Sequence, residues 1–152
     1  MKSIQFTPVH FFILTFLVAM ICNFAYKWQV SSYLSFETMQ ILGIAFLLIA
    51  LLINILSYKK FKNYKTPDAP FSRPKKLIYN GIFRLSRNPV YLALILSQTA
   101  LAFIFDTLYL LVSSLLLYLF LDIYIVENEE KLLLEEFEEE YEKYLQKTPR
   151  WF

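Results

Sequence analysis

Among the arginines, glutamates and tyrosines of this chain, Arg87, Tyr91, Glu129, Glu130, Tyr141, Tyr144 and Arg150 are of types that can bind a charged small molecule. An arginine grips a carboxylate through two parallel hydrogen bonds. Adjacent glutamates accept from hydroxyls or pair with an ammonium group, and a tyrosine ring attracts a cation held over its face. The sequence gives no support to imidazole or zinc chemistry. The single cysteine, Cys22, and the single histidine, His10, each lie in an apolar run, where Cys22 reads as a small buried hydrophobe and His10 as a packed or interfacial residue. Each candidate also has a plain structural reading. Arg87 can serve as an interface cation or as a partner for Glu130, Tyr141 and Tyr144 as interface anchors, and Arg150 with Trp151 as a headgroup anchor.

The elements that must carry these residues are apolar to an unusual degree. Hydrophobic residues make up 57% of the 152 and aromatic residues 18%, against about 45–50% apolar in soluble domains. One uncharged run covers residues 8–26 and a second covers 38–58, each long enough for a bilayer core that needs roughly 20 helical residues. A cleaved signal peptide is the competing reading of the first run, but its length and the lack of a small-residue cleavage site favour a retained helix. The apolar stretch that follows Pro89 is too long for one span. Asp106 and Thr107 near its middle divide it into arms over residues 89–105 and 107–126, a hairpin turning at Phe105–Leu108, with one long helix as the alternative. The fold class expected is an all-α integral membrane protein of about four transmembrane helices, forming one membrane domain.

Nine of the 15 Lys and Arg residues, among them Lys59, Lys60, Lys62, Lys65, Arg73, Lys75, Lys76 and Arg84, fall between the second and third runs, whereas the first connection has only Lys27. The positive-inside rule puts the loop 59–88 in the cytoplasm, and four crossings put both termini there too. This loop, with Pro67, Pro70 and Pro74, is expected along the membrane surface, with Phe61, Tyr64 and Phe71 among the headgroups. Nine of the 13 acidic residues are glutamates within residues 127–142. They are interleaved with Leu133, Phe137, Tyr141 and Tyr144 at helical spacing, which predicts an amphipathic cytoplasmic helix over 127–147, stopped by Pro149. Asp122 precedes Glu129 by seven residues, two turns away on nearly the same face of a regular helix. An acid inside a span is a functional candidate by default, and a hydrated interface position is its plain alternative.

Two segments resemble one known family. Gly81-Ile-Phe-Arg-Leu-Ser-Arg87-Asn88-Pro89-Val-Tyr91 is similar to G-x-[YF]-x-x-x-R-[HN]-P-x-Y. Glu129-Glu130, with Leu133, Phe137, Tyr141 and Tyr144 and then Pro149-Arg150-Trp151, is similar to E-E-x-x-L-x-x-x-F-G-x-x-Y-x-x-Y followed by P-R-W. Together they resemble the isoprenylcysteine carboxyl methyltransferases, within the wider group that contains phospholipid N-methyltransferases. The resemblance covers about residues 76–152. Asn88 stands where many members have His, which removes a histidine base, and Glu138 stands where the family usually has Gly.

The resemblance implies a methyltransferase that uses S-adenosylmethionine, with Glu129 and Glu130 contacting the cofactor. Arg87, or Arg150 as a second candidate, would grip a carboxylate of cofactor or substrate. Tyr91, Tyr141 and Tyr144 would offer rings to the adenine or the sulfonium. Arg87, Tyr91 and Arg150 are the candidate catalytic residues, and Glu129, Glu130, Arg87, Tyr141 and Tyr144 the candidate cofactor-binding ones, with no metal. The partners implied are the bilayer and a lipophilic acceptor: a prenylated carboxylate, a phospholipid amine or similar. A prokaryotic inner membrane suits the small chain. Two rival readings remain open: a non-catalytic four-helix scaffold that kept the fold, and a sterol-type reductase binding a nicotinamide, which would want a longer chain.

Overall fold

The computed structural model describes residues 7–67, 72, 74 and 76–152. Pro70, Phe71, Arg73 and Lys75, which entered the topology and loop expectations, lie outside the described residues. Among the described residues the regular structure is helical throughout. Helix α1 spans Pro8–Ala25 and α2 Phe36–Tyr64; α3 spans Pro89–Ile104 and α4 Leu108–Phe120. A π-helical turn, Leu121–Val126, joins α4 to α5, Glu127–Lys147, without a break in the rod.

Local chemistry sets the ends of these helices. Thr7 caps α1 by accepting from the His10 amide, and the His10 ring nitrogen answers at 3.3 Å from the Thr7 amide, a reciprocal capping box. That contact gives the solitary histidine a structural task. Pro89 opens α3, where its missing N–H costs no hydrogen bond. Lys59, Lys60, Phe61, Lys62, Asn63 and Tyr64 contain no helix breaker, so α2 runs six residues past the apolar stretch that ends at Tyr58. The loop expected from residue 59 therefore begins only at Lys65, which takes a left-handed φ of 51° as the C-cap.

Three helical rods are long and apolar enough to cross a membrane: Pro8–Ala25, Phe36–Tyr64 and Leu108–Lys147. Their length and composition mark the chain as an integral membrane protein. The fourth apolar helix, α3, has 16 residues, about 24 Å at 1.5 Å per residue. It is held on both sides. Gly43 of α2 lets the backbones close on each other: a Cβ there would sit 2.9 Å from Ile104 Cγ1 and 3.2 Å from the Ala100 carbonyl oxygen. On the opposite side, buried Gln98 donates to Thr15 of α1 at 3.0 Å and to Ser113 of α4 at 2.6 Å. In an apolar layer such amide bonds fix which helix faces meet.

The hairpin turn between α3 and α4 comprises Phe105, Asp106 and Thr107. Asp106, at φ 51°, accepts from the Ser31 amide at 2.7 Å, the Ser31 hydroxyl at 2.6 Å and the Gln29 side chain at 3.1 Å. The acid that divides the long apolar stretch thus pins the α1–α2 connection to the hairpin tip. At the opposite end of the bundle, Leu133, Phe137, Tyr141, Tyr144 and Leu145 of α5 pack on Leu77 of the α2–α3 connection. Within α5, Glu138 interrupts the helix with φ 41° and ψ −120°. The turn that a glycine would make easily is made here by a glutamate.

Candidate active site

Three segments meet at the end of the bundle where α2 outruns α3. The first is the connection from Lys76 to Asn88, shaped by a 3-10 turn over Gly81–Arg84. Gly81 has φ 64°, and a Cβ on it would lie 2.6 Å from Lys60 Cε. A larger residue would meet both a strained backbone and the lysine. Lys60 in turn donates to Asn80 at 2.5 Å, and Asn80 donates to the Tyr64 hydroxyl, so the end of α2 anchors this connection. Phe61 packs edge-on against Phe83. Phe61 and Tyr64 are therefore partners of the connection.

The second segment is the π turn with the first turn of α5, and the third is the closing stretch Thr148–Phe152. The closing stretch is strapped to the first segment. The Arg87 amide donates to the Pro149 carbonyl at 3.0 Å, and the Ser86 hydroxyl and Asn88 side-chain amide both donate to the Arg150 carbonyl at 3.1 Å. Asn88 thus acts as a donor to this strap.

Four charged side chains alternate behind the strap. Arg87 pairs with Glu130 at 2.9 Å, Glu130 with Arg150 at 2.6 Å, and Arg150 with Asp122 at 3.1 Å. The Trp151 indole N–H also donates to Asp122, at 2.9 Å. Hydrogen bonding to Glu130 leads the effects that raise the Arg150 pKa above its ordinary value, with Asp122 adding to it. Glu130 and Arg87 are 14% and 12% exposed, so their charges interact with little screening from water.

A recess opens beside this chain of charges. Its cavity volume is about 140 Å³, and its mouth is open to the surroundings. Arg87, Tyr91, Glu129, Tyr141 and Tyr144 all line it, together with Lys76 at its exposed side and apolar residues such as Leu77, Phe83 and Leu133. The Tyr91 hydroxyl donates to Glu129 at 2.7 Å, and the Tyr144 hydroxyl donates to the Phe83 carbonyl at 2.5 Å. Burial pushes the Tyr141 and Tyr144 phenols well above their usual range, so both present neutral rings. The Arg87 Nε is buried without a partner among the described residues, a spare donor on a side chain that lines the recess.

Of the seven residues singled out in the sequence, five line the recess, whereas Glu130 and Arg150 stand behind it. Asp122 lies on a different face from the one expected. In a regular helix it would align with Glu129. The π turn absorbs one extra residue, so Asp122 aligns with Glu130, eight residues on, and the two share Arg150. Glu129 is turned to Tyr91 and the recess instead. Lys76, Asn88 and Trp151 had no assigned part in a site. Only the P-R-W element hinted at Trp151, and no spacing could have shown that Lys76 borders the recess.

A family model described as Phospholipid methyltransferase matches residues 38–140. The chain belongs to this family. The match covers about two thirds of the sequence and includes Arg87, Tyr91, Asp122, Glu129 and Glu130, and membership implies methyltransferase activity in general. It agrees with the wider group to which the two short motifs pointed. No curated protein matches the chain.

Proposed function

We propose that this protein transfers a methyl group from S-adenosylmethionine to a lipophilic acceptor at the cytoplasmic face of the membrane. The observation that carries the reading is the convergence of Arg87, Tyr91, Glu129, Tyr141 and Tyr144 on one recess, at the end of the bundle that carries the basic connection. At about 140 Å³ the recess is smaller than the about 300–1,000 Å³ of a typical small-molecule site, so the cofactor would lie partly in its open mouth. The chemistry of the recess suits the cofactor. Arg87, with its unpartnered Nε, would take the carboxylate. Glu129 would take the ammonium or the ribose hydroxyls. The neutral rings of Tyr141 and Tyr144 would flank the adenine or the sulfonium.

When bound, S-adenosylmethionine supplies an electrophilic methyl group on a good leaving group. The residues of this chain then have little bond-making to assist and mainly align the reactants. Alignment in a site that excludes water is worth several orders of magnitude in rate. Leu77, Phe83 and Leu133 would give the reacting centre an apolar wall. A carboxylate acceptor needs no base. An ammonium acceptor must lose a proton, and water or the Glu129 carboxylate, held by the Tyr91 hydroxyl at 2.7 Å and free for this when it does not pair with the cofactor's ammonium, would receive it. Glu130, with both oxygens engaged by arginines, fixes Arg87 from behind.

In the topology that goes with this reading, α3 makes the fourth crossing, aided by local thinning of the bilayer, and both termini are cytoplasmic. The acceptor reaches the recess from the lipid side, and a phospholipid amine is the class favoured by the family. Incubation of the purified protein with methyl-labelled cofactor and either phosphatidylethanolamine or a prenylated cysteine tests the reaction. Label in the phospholipid, abolished by Arg87→Ala, supports the reading; label in neither acceptor overturns it. Reagent access to cysteines introduced at Asn63, Asp106 and Glu139 tests the topology. Labelling of positions 63 and 139 from opposite sides contradicts four crossings.

A further inference from the structure

The rod from α4 to α5 departs from α-helical geometry over Leu121–Val126. A π turn is rare because the α-helix is the default for the same residues, and Leu-Asp-Ile-Tyr-Ile-Val contains no Gly or Pro to force one. Something outside the turn must hold it. Arg150 does so from the closing strap. Its guanidinium reaches Asp122 at 3.1 Å on the turn and Glu130 at 2.6 Å beyond it, and its own carbonyl is fixed by Ser86 and Asn88. By absorbing one extra residue the π turn brings positions 122 and 130 to one side of the rod, where a single guanidinium spans both. Were the turn to relax to a regular helix, the two carboxylates would part by roughly 80–100° around the axis, and Glu129 would rotate with Glu130 relative to α4.

We propose that Arg150 is a positioning residue: by clamping Asp122 to Glu130 it maintains the π turn and so aims Glu129 into the recess, where it meets Tyr91. Arg150 itself does not line the recess. This assignment rests on the proposed cofactor site only for the binding readout. The Tyr91–Glu129 hydrogen bond gives a second readout that needs no cofactor.

The test uses the full chain in detergent or nanodiscs, with Arg150→Gln made in two backgrounds. One is the natural sequence. The other lacks Tyr124, an exposed residue of the turn. This deletion removes the extra residue, so Asp122 and Glu130 stand seven apart and align in an ordinary α-helix with nothing left to clamp. In the natural background Arg150→Gln is expected to weaken S-adenosylmethionine binding about tenfold or more, the size of a lost charge-assisted bond. In the deletion background the same change is expected to cost less than about threefold.

Independently of cofactor, Tyr91→Phe is expected to lower the Tm when Arg150 is present and to leave it unchanged in Arg150→Gln. A residue that merely ties down the chain end would give equal losses in both backgrounds and an equal Tm drop with or without Arg150, and either result overturns the proposal. If the natural protein does not bind S-adenosylmethionine, the proposed function fails while the Tyr91→Phe comparison still decides this inference. The same comparison decides it if the deletion variant does not fold.

Discussion

Replacing Glu138 by glycine should stabilise the protein, although the substitution lies inside a helix and deletes an exposed charged side chain. Glu138 has φ 41° and ψ −120°, a region that side chains with a Cβ avoid, and holding such a residue there costs about 1–3 kcal/mol. Glycine removes that strain but loses about 0.5–1 kcal/mol through the greater freedom of the unfolded chain. The net expectation is a gain of about 0.5–2 kcal/mol, or a rise in Tm of about 1–8 °C for a chain of this length. Glu139→Gly next door provides the control, because Glu139 keeps helical geometry and is also exposed. There glycine should cost about 1 kcal/mol. Glu138→Ala keeps the Cβ and should change little. Thermal unfolding of the three variants in one detergent measures all of this. If Glu138→Gly is destabilising to the same degree as Glu139→Gly, the break in α5 does not exist as described and the reasoning fails.

Glu130→Gln should be the costliest single change in the charge chain. It leaves Arg87 and Arg150 facing a neutral amide, and a broken buried pair costs about 3–5 kcal/mol, reduced here to about 2–3 kcal/mol because Arg150 is one-third exposed. Glu127→Gln, which releases only the exposed partner Lys131, should leave the unfolding curve unchanged. Asp106→Ala removes the acceptor of three hydrogen bonds and puts alanine at a left-handed position. It should cost about 1–3 kcal/mol, with Asp106→Asn milder, as read by unfolding in detergent. The buried phenols of Tyr141 and Tyr144 should resist titration. Stability is unaffected by them below their ordinary value of 10.0 and falls as pH rises above it, because the unfolded chain ionises there while the folded one does not. Tyrosinate absorbance should show two fewer late-titrating groups in Tyr141→Phe/Tyr144→Phe.

The sequence revealed much of the architecture for simple reasons. Apolar runs of bilayer length define the long helices, and Asp106 marks a turn because an acid cannot rest in the middle of a span. The grouping of Arg87 with Glu129 followed from two motifs flanking a hairpin. What stayed hidden depends on register. Nothing in Leu121–Val126 announces a π turn, so counting by 3.6 pairs Asp122 with the wrong glutamate. The double role of Arg150 was equally out of reach, because it depends on where a strap 20 residues after Glu130 returns in space. Glu138 signals helix by type, and only its backbone angles show that the chain turns there. Lys60, counted as a loop cation, proved to be the residue whose side chain lies against Gly81.

Equilibrium binding of S-adenosylmethionine to the purified protein in nanodiscs tests the central claim most directly. Saturable binding is expected, weakened about tenfold or more in Arg87→Ala and in Glu129→Gln and unchanged in Glu139→Gln on the solvated face of α5. Absence of binding to the natural protein, or equal binding by all four proteins, would contradict it.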